Sequence, residues 1–401
     1  MKPRAGERIN IVGAGLAGAL LAVLLARRGF AVDLYDRRPD PRGAESERGR
    51  SINLALAARG IVALERAGMM DRIRPLLIPM RGRMIHSPAG ETQLQPYGQR
   101  QEEVIYSVSR ADLNRALIEE AALHPQVRVR FRQTCLAALP EAGALRFRDE
   151  ATGSECNVPL APTFAADGAG SAIRSSLARS GHLGVREDRL DHDYKELTIP
   201  ARHARHDTGR HEPARHEVDP HGLHVWPRGG FMLIALPNID GSFTATLFLS
   251  RSGAGSFDSL TSPERVQTLF QTQFSDAAQL MPNLLEEFAA HPQGQLGTIY
   301  TRPWHVGGQV LLLGDAAHAI VPFHGQGMNC AFEDCMVLDS AIERGDDRWE
   351  PIFAEFAHER KPNADAISDM ALENYVEMRS TVRDPKFQLK KELAFRLEEL
   401  Y

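Results

Sequence analysis

The chain has 401 residues and a formal net charge of −5, with a pI near 6.3. This length allows two or three domains with a large core, and the charge balance offers no basic surface for nucleic acid. The four cysteines have neither metal-type nor disulfide-type spacing, so we expect no metal site and a reducing cytoplasm as the location. Cys330 and Cys335 fall on a predicted helix and are interpreted as core thiols.

The first predicted elements form a dinucleotide-binding unit. An apolar strand over 9–12 precedes three spaced glycines, and an Ala- and Leu-rich helix follows from Leu16 to Arg28. Gly13 allows a tight turn, Gly15 lets the backbone approach a pyrophosphate at the helix N-terminus, and Gly18 lets the helix pack on the strand. Leu16 and Ala17 lie between these glycines and are assigned to the same cofactor site.

The second strand, 31–35, ends at Asp36. An acid at this position is placed to bind an adenosine ribose and disfavours a 2′-phosphate, so the site suits FAD or NAD better than NADP. Arg37 and Arg110 are added to this cofactor site. The uncharged stretch 9–26 also allows a signal peptide or membrane helix, but glycines at phosphate-loop spacing favour the nucleotide unit, and we expect no membrane anchor in this chain.

Hydrophobic patterns predict the remaining elements in chain order. Strands are expected at 80–87, 91–95, 104–108, 127–131, 145–148, 163–166, 231–236, 243–249 and from 310, and helices at 110–123, from 263 and after 315. The predicted fold class is α/β: a Rossmann-like FAD-binding domain of discontinuous segments with an inserted antiparallel β-sheet substrate domain and C-terminal helices. The expected bounds are 1–75, 100–182 and 291–345 for the FAD-binding domain, 76–99 and 183–290 for the substrate domain, and 346–401 for the helical segment.

A run of arginines and histidines, 202–216, includes His203 and His206 at a spacing that can hold zinc. Because Pro, Gly, Asp and Glu are interspersed and no compact ligand set is evident, we interpret this run as a solvated loop.

Two later segments predict the other half of the cofactor site. Asp167 and Gly168 end an apolar strand and would fold over the pyrophosphate, while Asp315 ends the strand 310–314 and can bind a polyol such as ribitol. The loop 322–329 leads into a helix whose amides and positive end would stabilise negative charge on a reduced isoalloxazine. We assign the ring and flavin environment to Pro322, Phe323 and His324, and cofactor binding to Gly325, Gln326, Gly327, Met328 and Asn329.

Six more segments carry a family resemblance, at 50–56, 82–86, 94–98, 194–197, 223–229 and 373–378. The glycine and aspartate motifs resemble those of the class A flavoprotein monooxygenases of the para-hydroxybenzoate hydroxylase fold. The six segments are similar to the kynurenine 3-monooxygenase family within that class, and the similarity spans nearly the whole chain.

The resemblance implies hydroxylation of L-kynurenine to 3-hydroxykynurenine with O2, bound FAD and transient NADPH, through a C4a-hydroperoxyflavin. It also implies that the positions matching Arg83, Tyr97 and Asn374 bind the substrate carboxylate. A guanidinium and a phenol suit that task, although without the resemblance Arg83 would be taken for a solvent-facing strand residue. Phe231 is a further candidate for the substrate ring pocket, beside the residues of the 322–324 segment.

Two alternatives remain open: a class A hydroxylase of another aromatic acid, and a flavin-binding regulatory protein that does not hydroxylate. A homodimer is also left open. The family continues beyond the position of Tyr401 with a helical segment bearing another carboxylate-contacting tyrosine. We therefore expect the 401-residue chain to bind FAD normally and to hydroxylate poorly.

Overall fold

The computed structural model describes residues 6–43, 53–201, 218–345 and 348–379, together with residues 386, 389, 390, 393 and 396. The candidate loop with His203 and His206, the segment 50–52 and Tyr401 lie outside the described residues.

The strands of the described part of the chain are, in order, β1 (Arg8–Val12), β2 (Ala31–Tyr35), β3 (Asn53–Leu56), β4 (Ile78–Met80), β5 (Gly82–His86), β6 (Thr92–Pro96), β7 (Ile105–Ser109), β8 (Val127–Arg130), β9 (Gln133–Leu139), β10 (Ala144–Asp149), β11 (Glu155–Pro159), β12 (Thr163–Ala165), β13 (Gly184–Ile199), β14 (Leu223–Pro227), β15 (Met232–Pro237), β16 (Phe243–Ser250), β17 (Gln293–Arg302), β18 (His305–Val306) and β19 (Val310–Leu312). The helices are α1 (Leu16–Arg27), α2 (Ala58–Arg66), α3 (Met70–Ile73), α4 (Arg110–Leu123), α5 (Ala172–Arg179), α6 (Pro263–Gln273), α7 (Ser275–Ala278), α8 (Leu284–Ala290), α9 (Asp315–His318), α10 (Gly327–Arg344) and α11 (Trp349–Arg379).

A six-stranded sheet forms the first layer, in the order β18-β19-β12-β1-β2-β8, and all its pairings are parallel except β18 with β19. Val12 pairs with Tyr35 and Ala165, and Ala165 pairs with Leu312. The chain therefore leaves four parallel strands at one edge of the sheet, which is where α/β proteins bind ligands. The glycine turn, Asp36, Asp167 and Asp315 all follow at this edge.

A seven-stranded sheet, β17-β13-β16-β15-β14-β5-β6, forms the second large layer and is antiparallel except for the pair β14 and β5. Alternate residues of its strands enter two separate apolar clusters, as the pleat requires. One cluster packs against α6, α7 and α8. The other packs against the turn Pro322–His324 and against α11. Two small sheets, β11-β10-β9 and β3-β7-β4, complete the structure of the described residues.

The predicted fold class is confirmed, and several elements match closely. The helix expected at 110–123 is α4, and the hairpin signal at 238–241 joins β15 to β16. The stretch 9–26 is a strand followed by a helix, and among the described residues no helix has both the length and the apolar character needed to cross a bilayer. Cys330 and Cys335 are buried free thiols, as expected. The domain bounds stay a prediction.

One boundary differs from the expectation. The segment 322–329 was expected as a loop, but α10 begins inside it, at Gly327. Gly325 adopts a left-handed conformation with φ of 64°, which ends the preceding turn and lets the helix start two residues later. Met328 and Asn329 therefore lie in the first helical turn rather than in the loop.

We expect Gly13→Ala to destabilise the protein by at least about 2 kcal/mol, because a positive φ and a backbone clash act together. Gly13 has φ of 102°, and a Cβ there would lie 2.3 Å from the Ala166 carbonyl oxygen. Gly153→Ala is the matched control, because Gly153 also has a positive φ but no atom within 4 Å of its Cβ position. Chemical unfolding should show a cost of only about 1 kcal/mol for the control. Equal losses in the two variants would show that the close approach at Gly13 is unimportant.

Candidate active site

The glycine turn leaves open space above the start of α1. Gly15 is the N-cap of α1 with an ordinary φ of −70°, and no protein atom lies within 4 Å of where its Cβ would be. The side chain of Asn114 on α4 donates to the Ala14 carbonyl at 3.0 Å. Arg110, the first residue of α4, is exposed one turn earlier on the same helix. Backbone amides at a helix N-terminus with free space before them form an anion site.

Asp36 is buried at the end of β2 and is already hydrogen-bonded. It accepts from the Ala14 amide at 2.8 Å and from the backbone and guanidinium of Arg38 at 2.8–2.9 Å. Burial would raise the pKa of Asp36, but the hydrogen bonds and charge of Arg38 hold it below its usual value. The carboxylate is thus an ionised acceptor that a ribose would share with Arg38. Arg37 is exposed beside it and lines a surface hollow together with Arg132 and Arg148.

The two carboxylate oxygens of Asp167 have different surroundings. One oxygen accepts from the Ala172 amide at 2.9 Å and so caps α5. The other oxygen is buried and has no hydrogen-bond partner among the described residues, and burial raises the pKa of Asp167. Gly168 has φ of 80° and open space at its Cβ position. Asp315 is exposed at the same sheet edge, where it begins α9.

The loop before α10 is held from within the protein. The Asn329 side chain accepts from the Ala57 amide at 2.9 Å and donates to the Ala55 and Gly325 carbonyls at 2.8 and 2.9 Å. Both ends of this side chain are therefore engaged, which leaves Asn329 a positioning role in the loop. Gln326 differs, because its side-chain carbonyl oxygen is buried and has no partner within the described residues. Such a polar atom is one that a bound ligand would satisfy.

A buried ionic cluster lies behind this loop. Asp334 on α10 accepts from the Gly314 amide at 2.9 Å, from His318 at 2.6 Å and from Arg360 at 2.8 Å. Its carboxylate, the His318 ring and the Cys330 thiol have ligand atoms within 4.8 Å of one another, as a cation site would need. Arg360, however, brings a fixed positive charge to Asp334 and 3.4 Å from the Cys330 sulfur. The cluster is therefore better suited to structural ion pairing than to metal binding.

The expected carboxylate-binding residues come together between β5 and α11. Arg83 donates to Asn374 at 3.1 Å and to Glu377 at 2.8 Å. Asn374 in turn donates to the Phe323 carbonyl, which ties this group to the Pro322–His324 turn. The Tyr97 hydroxyl is buried without a hydrogen-bond partner among the described residues, and burial raises the pKa of Tyr97 to about 12 even though Arg83 is near. Tyr97 is thus a neutral donor at physiological pH.

Aromatic and apolar side chains adjoin this polar group. Phe323 stacks on Tyr375 with ring centroids 4.2 Å apart and lies 4.9 Å from Phe248. Pro322 is exposed at the start of the same turn. His324 is half-buried, and burial together with the Arg83 charge lowers the pKa of His324, so its ring is neutral near pH 7.

Phe231 lies apart from the apolar cluster that contains Phe323. Its ring meets Phe274 edge-on at 5.9 Å and joins the apolar cluster on the α6–α8 face of the large sheet. The adjacent residue, Met232, enters the cluster that contains Phe323. Met232, and not Phe231, is therefore the candidate for the ring pocket, because successive strand residues point to opposite faces of the sheet.

Sequence reasoning also missed Arg38, Tyr375 and Glu377. The spacing of Arg38, two residues after Asp36, is a signal that could have been read, since such pairs fold back on each other in turns. Tyr375 and Glu377 lie in a segment used only for its resemblance. The contact of Glu377 with Arg83 spans nearly 300 positions and leaves no local signal.

Comparisons with known proteins identify the family and the fold of this chain. The sequence model of a family described as "FAD binding domain" matches residues 8–371. A kynurenine 3-monooxygenase from Myxococcus xanthus is 48% identical over 96% of this chain and 81% of its own length, and one from Stenotrophomonas maltophilia is 47% identical over 99% and 85%.

Two solved structures share the fold. The tetrameric form of 2-methyl-3-hydroxypyridine-5-carboxylic acid oxygenase has a TM-score of 0.74 at 19% identity over 95% of each chain. The p-nitrophenol 4-monooxygenase of Pseudomonas putida has a TM-score of 0.71 at 16% identity over 97% of this chain and 93% of that one.

A domain-wide match and relatives close to half identical along nearly the whole chain leave no ambiguity about descent: the chain belongs to the kynurenine 3-monooxygenase family of FAD-dependent monooxygenases.

Proposed function

We propose that this protein hydroxylates the aromatic ring of L-kynurenine to give 3-hydroxy-L-kynurenine. One oxygen atom of O2 enters the ring and the other leaves as water, with NADPH supplying the two electrons. The relatives named kynurenine 3-monooxygenase support this substrate. Bound FAD supplies the chemistry, because it accepts hydride from NADPH and activates oxygen.

The observation that carries the proposal is the meeting of Arg83, Asn374 and Tyr97 beside an apolar, aromatic cluster. Kynurenine has the same two parts, a carboxylate at one end and an aromatic ring at the other. A guanidinium binds a carboxylate through two parallel hydrogen bonds. The Tyr97 hydroxyl, which lacks a protein partner among the described residues, would add a third donor at no cost in broken hydrogen bonds.

The substrate ring would lie against the apolar cluster near the Pro322–His324 turn. Phe323 and Phe248 offer an environment poor in water, which hydroxylation needs because water diverts activated oxygen to peroxide. His324 is neutral near pH 7 and so places no extra charge beside the ring. No side chain has to donate or remove a proton to start the reaction.

The residues at the strand edge fit FAD. Gly15 leaves room for the pyrophosphate and Asp36 offers an ionised acceptor for the ribose. Asp315 is exposed, so its carboxylate would be free to accept hydrogen bonds from the ribityl chain. The Gln326 side-chain oxygen, which has no partner among the described residues, and the first amides of α10 would face the flavin ring. The homodimer and the cytoplasmic location considered from the sequence stay predictions.

Gly15→Ala should leave the fold intact and remove the cofactor. The residue has an ordinary φ and empty space at its Cβ position, so the unfolding free energy of the apoprotein should change by less than about 0.5 kcal/mol. A methyl group there would instead meet the pyrophosphate. The measurement is the flavin absorbance per protein after reconstitution with excess FAD. Full FAD content in this variant would show that the backbone at Gly15 does not approach the cofactor.

Arg83→Ala should weaken L-kynurenine binding by roughly 30-fold or more, since removing one partner of a buried charge pair costs about 2–5 kcal/mol. FAD content should not change, because Arg83 lies on β5, away from the glycine turn. Arg81→Ala is the control: Arg81 lies two residues away, is 60% exposed and meets Asp219 only at 3.9 Å. Dissociation constants follow from the change in flavin absorbance on titration. Equal affinities in the two variants would contradict the carboxylate assignment.

The proposed substrate is tested by a panel of aromatic acids. We expect L-kynurenine to stimulate NADPH oxidation and to yield 3-hydroxykynurenine, while anthranilate and salicylate give neither. Product from another aromatic acid alone would favour the alternative hydroxylase. Tight FAD binding with no substrate-dependent NADPH oxidation by any acid would favour the regulatory protein.

A further inference from the structure

We infer that Glu377 and Arg83 together form a receptor for a zwitterionic α-amino acid head group, with Glu377 binding the α-ammonium. This inference rests on the proposed function, because it takes Arg83 as the carboxylate-binding residue. Arg83 Nη1 lies 2.8 Å from Glu377 Oε1, and the two side chains are 16% and 30% exposed. The pair is therefore largely shielded from solvent, yet it can be reached from outside.

The surroundings of the ion pair support a binding role for Arg83 and Glu377. Arg83 has a second contact to Asn374 at 3.1 Å, and the buried Tyr97 hydroxyl near it has no partner among the described residues. A group that fills only structural needs would not leave a buried donor unsatisfied at its side. The Glu377 carboxylate thus occupies the position on Arg83 that a substrate carboxylate would take.

The charges of a ligand determine whether it can separate Arg83 from Glu377 and still leave both side chains paired. An α-amino acid brings one negative and one positive group, so its carboxylate can take Arg83 while its ammonium takes Glu377. Both protein charges are then paired again. A plain carboxylic acid would take Arg83 and leave Glu377 unpaired beside a second negative group, which costs binding free energy. The Arg83–Glu377 pair therefore selects amino acids over simple aromatic acids.

The position of Glu377 on α11 fits this role. Asn374 and Glu377 are three residues apart, so they share one face of the helix, and both contact Arg83. His324 is close enough to feel the charges of both Arg83 and Glu377, but burial lowers the pKa of His324. A neutral histidine does not compete with the ammonium for Glu377. Glu373, one turn earlier on the same helix, is exposed and offers a matched control.

The test compares two ligands on three forms of the FAD-loaded, full-length protein. The ligands are L-kynurenine and 4-(2-aminophenyl)-4-oxobutanoic acid, which is the same molecule without the α-amino group. The proteins are the wild type, Glu377→Gln and Glu373→Gln. Dissociation constants are measured from flavin absorbance without NADPH, so the readout does not depend on turnover.

We expect the wild type and Glu373→Gln to prefer the amino acid by at least about tenfold, which corresponds to ~1.4 kcal/mol. In Glu377→Gln that preference should fall to near one, because the amino acid binds more weakly and the des-amino acid more tightly. The opposite signs are the diagnostic feature. A merely structural role for Glu377 would weaken both ligands alike.

Equal weakening of both ligands in Glu377→Gln, or an unchanged preference, would overturn the ammonium assignment. The wild-type comparison tests the inference even if the variant does not fold. If the wild type binds the two ligands equally well, the assignment of the ammonium to Glu377 is wrong, while the assignment of the carboxylate to Arg83 is unaffected. If the wild type binds neither ligand, the proposed function itself is wrong, and the receptor assignment falls with it.

Discussion

The arrangement of the candidate site depends on the hydrogen bonds that the buried carboxylate of Asp334 accepts. This carboxylate receives hydrogen bonds from the turn after β19, from α9 and from α11, through Gly314, His318 and Arg360. Burial works against its charge, yet His318 and Arg360 hold the pKa of Asp334 below its usual value. A buried charge satisfied from three sides tolerates little displacement of any of them. The helix α10, which follows the loop 322–326, is thereby fixed relative to β19 and to α9, which begins at Asp315.

The same carboxylate links the two halves of the site. Arg360 belongs to α11, the helix that further along presents Asn374 and Glu377 to Arg83. A second link comes from the turn between β19 and α10, since Asn374 also binds the Phe323 carbonyl. The residues proposed for the substrate head group and those proposed for the flavin ring are therefore positioned by one helix and one loop. Such shared support keeps the distance between the reacting parts constant.

Much of the cofactor half could be predicted from the sequence, because it follows from a general rule. Parallel strands end at a common edge, so glycines and aspartates found just after apolar strands, such as Gly13 and Asp167, must meet there. The substrate half could not be predicted in the same way. Whether Phe231 or Met232 faces the ring depends on strand register, and the Arg83–Glu377 contact depends on how a distant helix packs. Local patterns hold neither kind of information.

The order of the strands also sets a condition on biosynthesis. β1 lies between β2 and β12, and β12 needs β19 on its other side, so adjacent strands come from residues 8–12, 163–165 and 310–312. The glycine turn is made long before β12 and β19, yet its sheet is complete only after residues 310–312 have been made. Until β19 is made, the apolar edge of β12 lacks its partner strand and is open to wrong partners, as expected for folds dominated by contacts distant in sequence. The strand-end residues Gly13, Asp36, Asp167 and Asp315 are therefore brought together at one sheet edge only after β19 has been made.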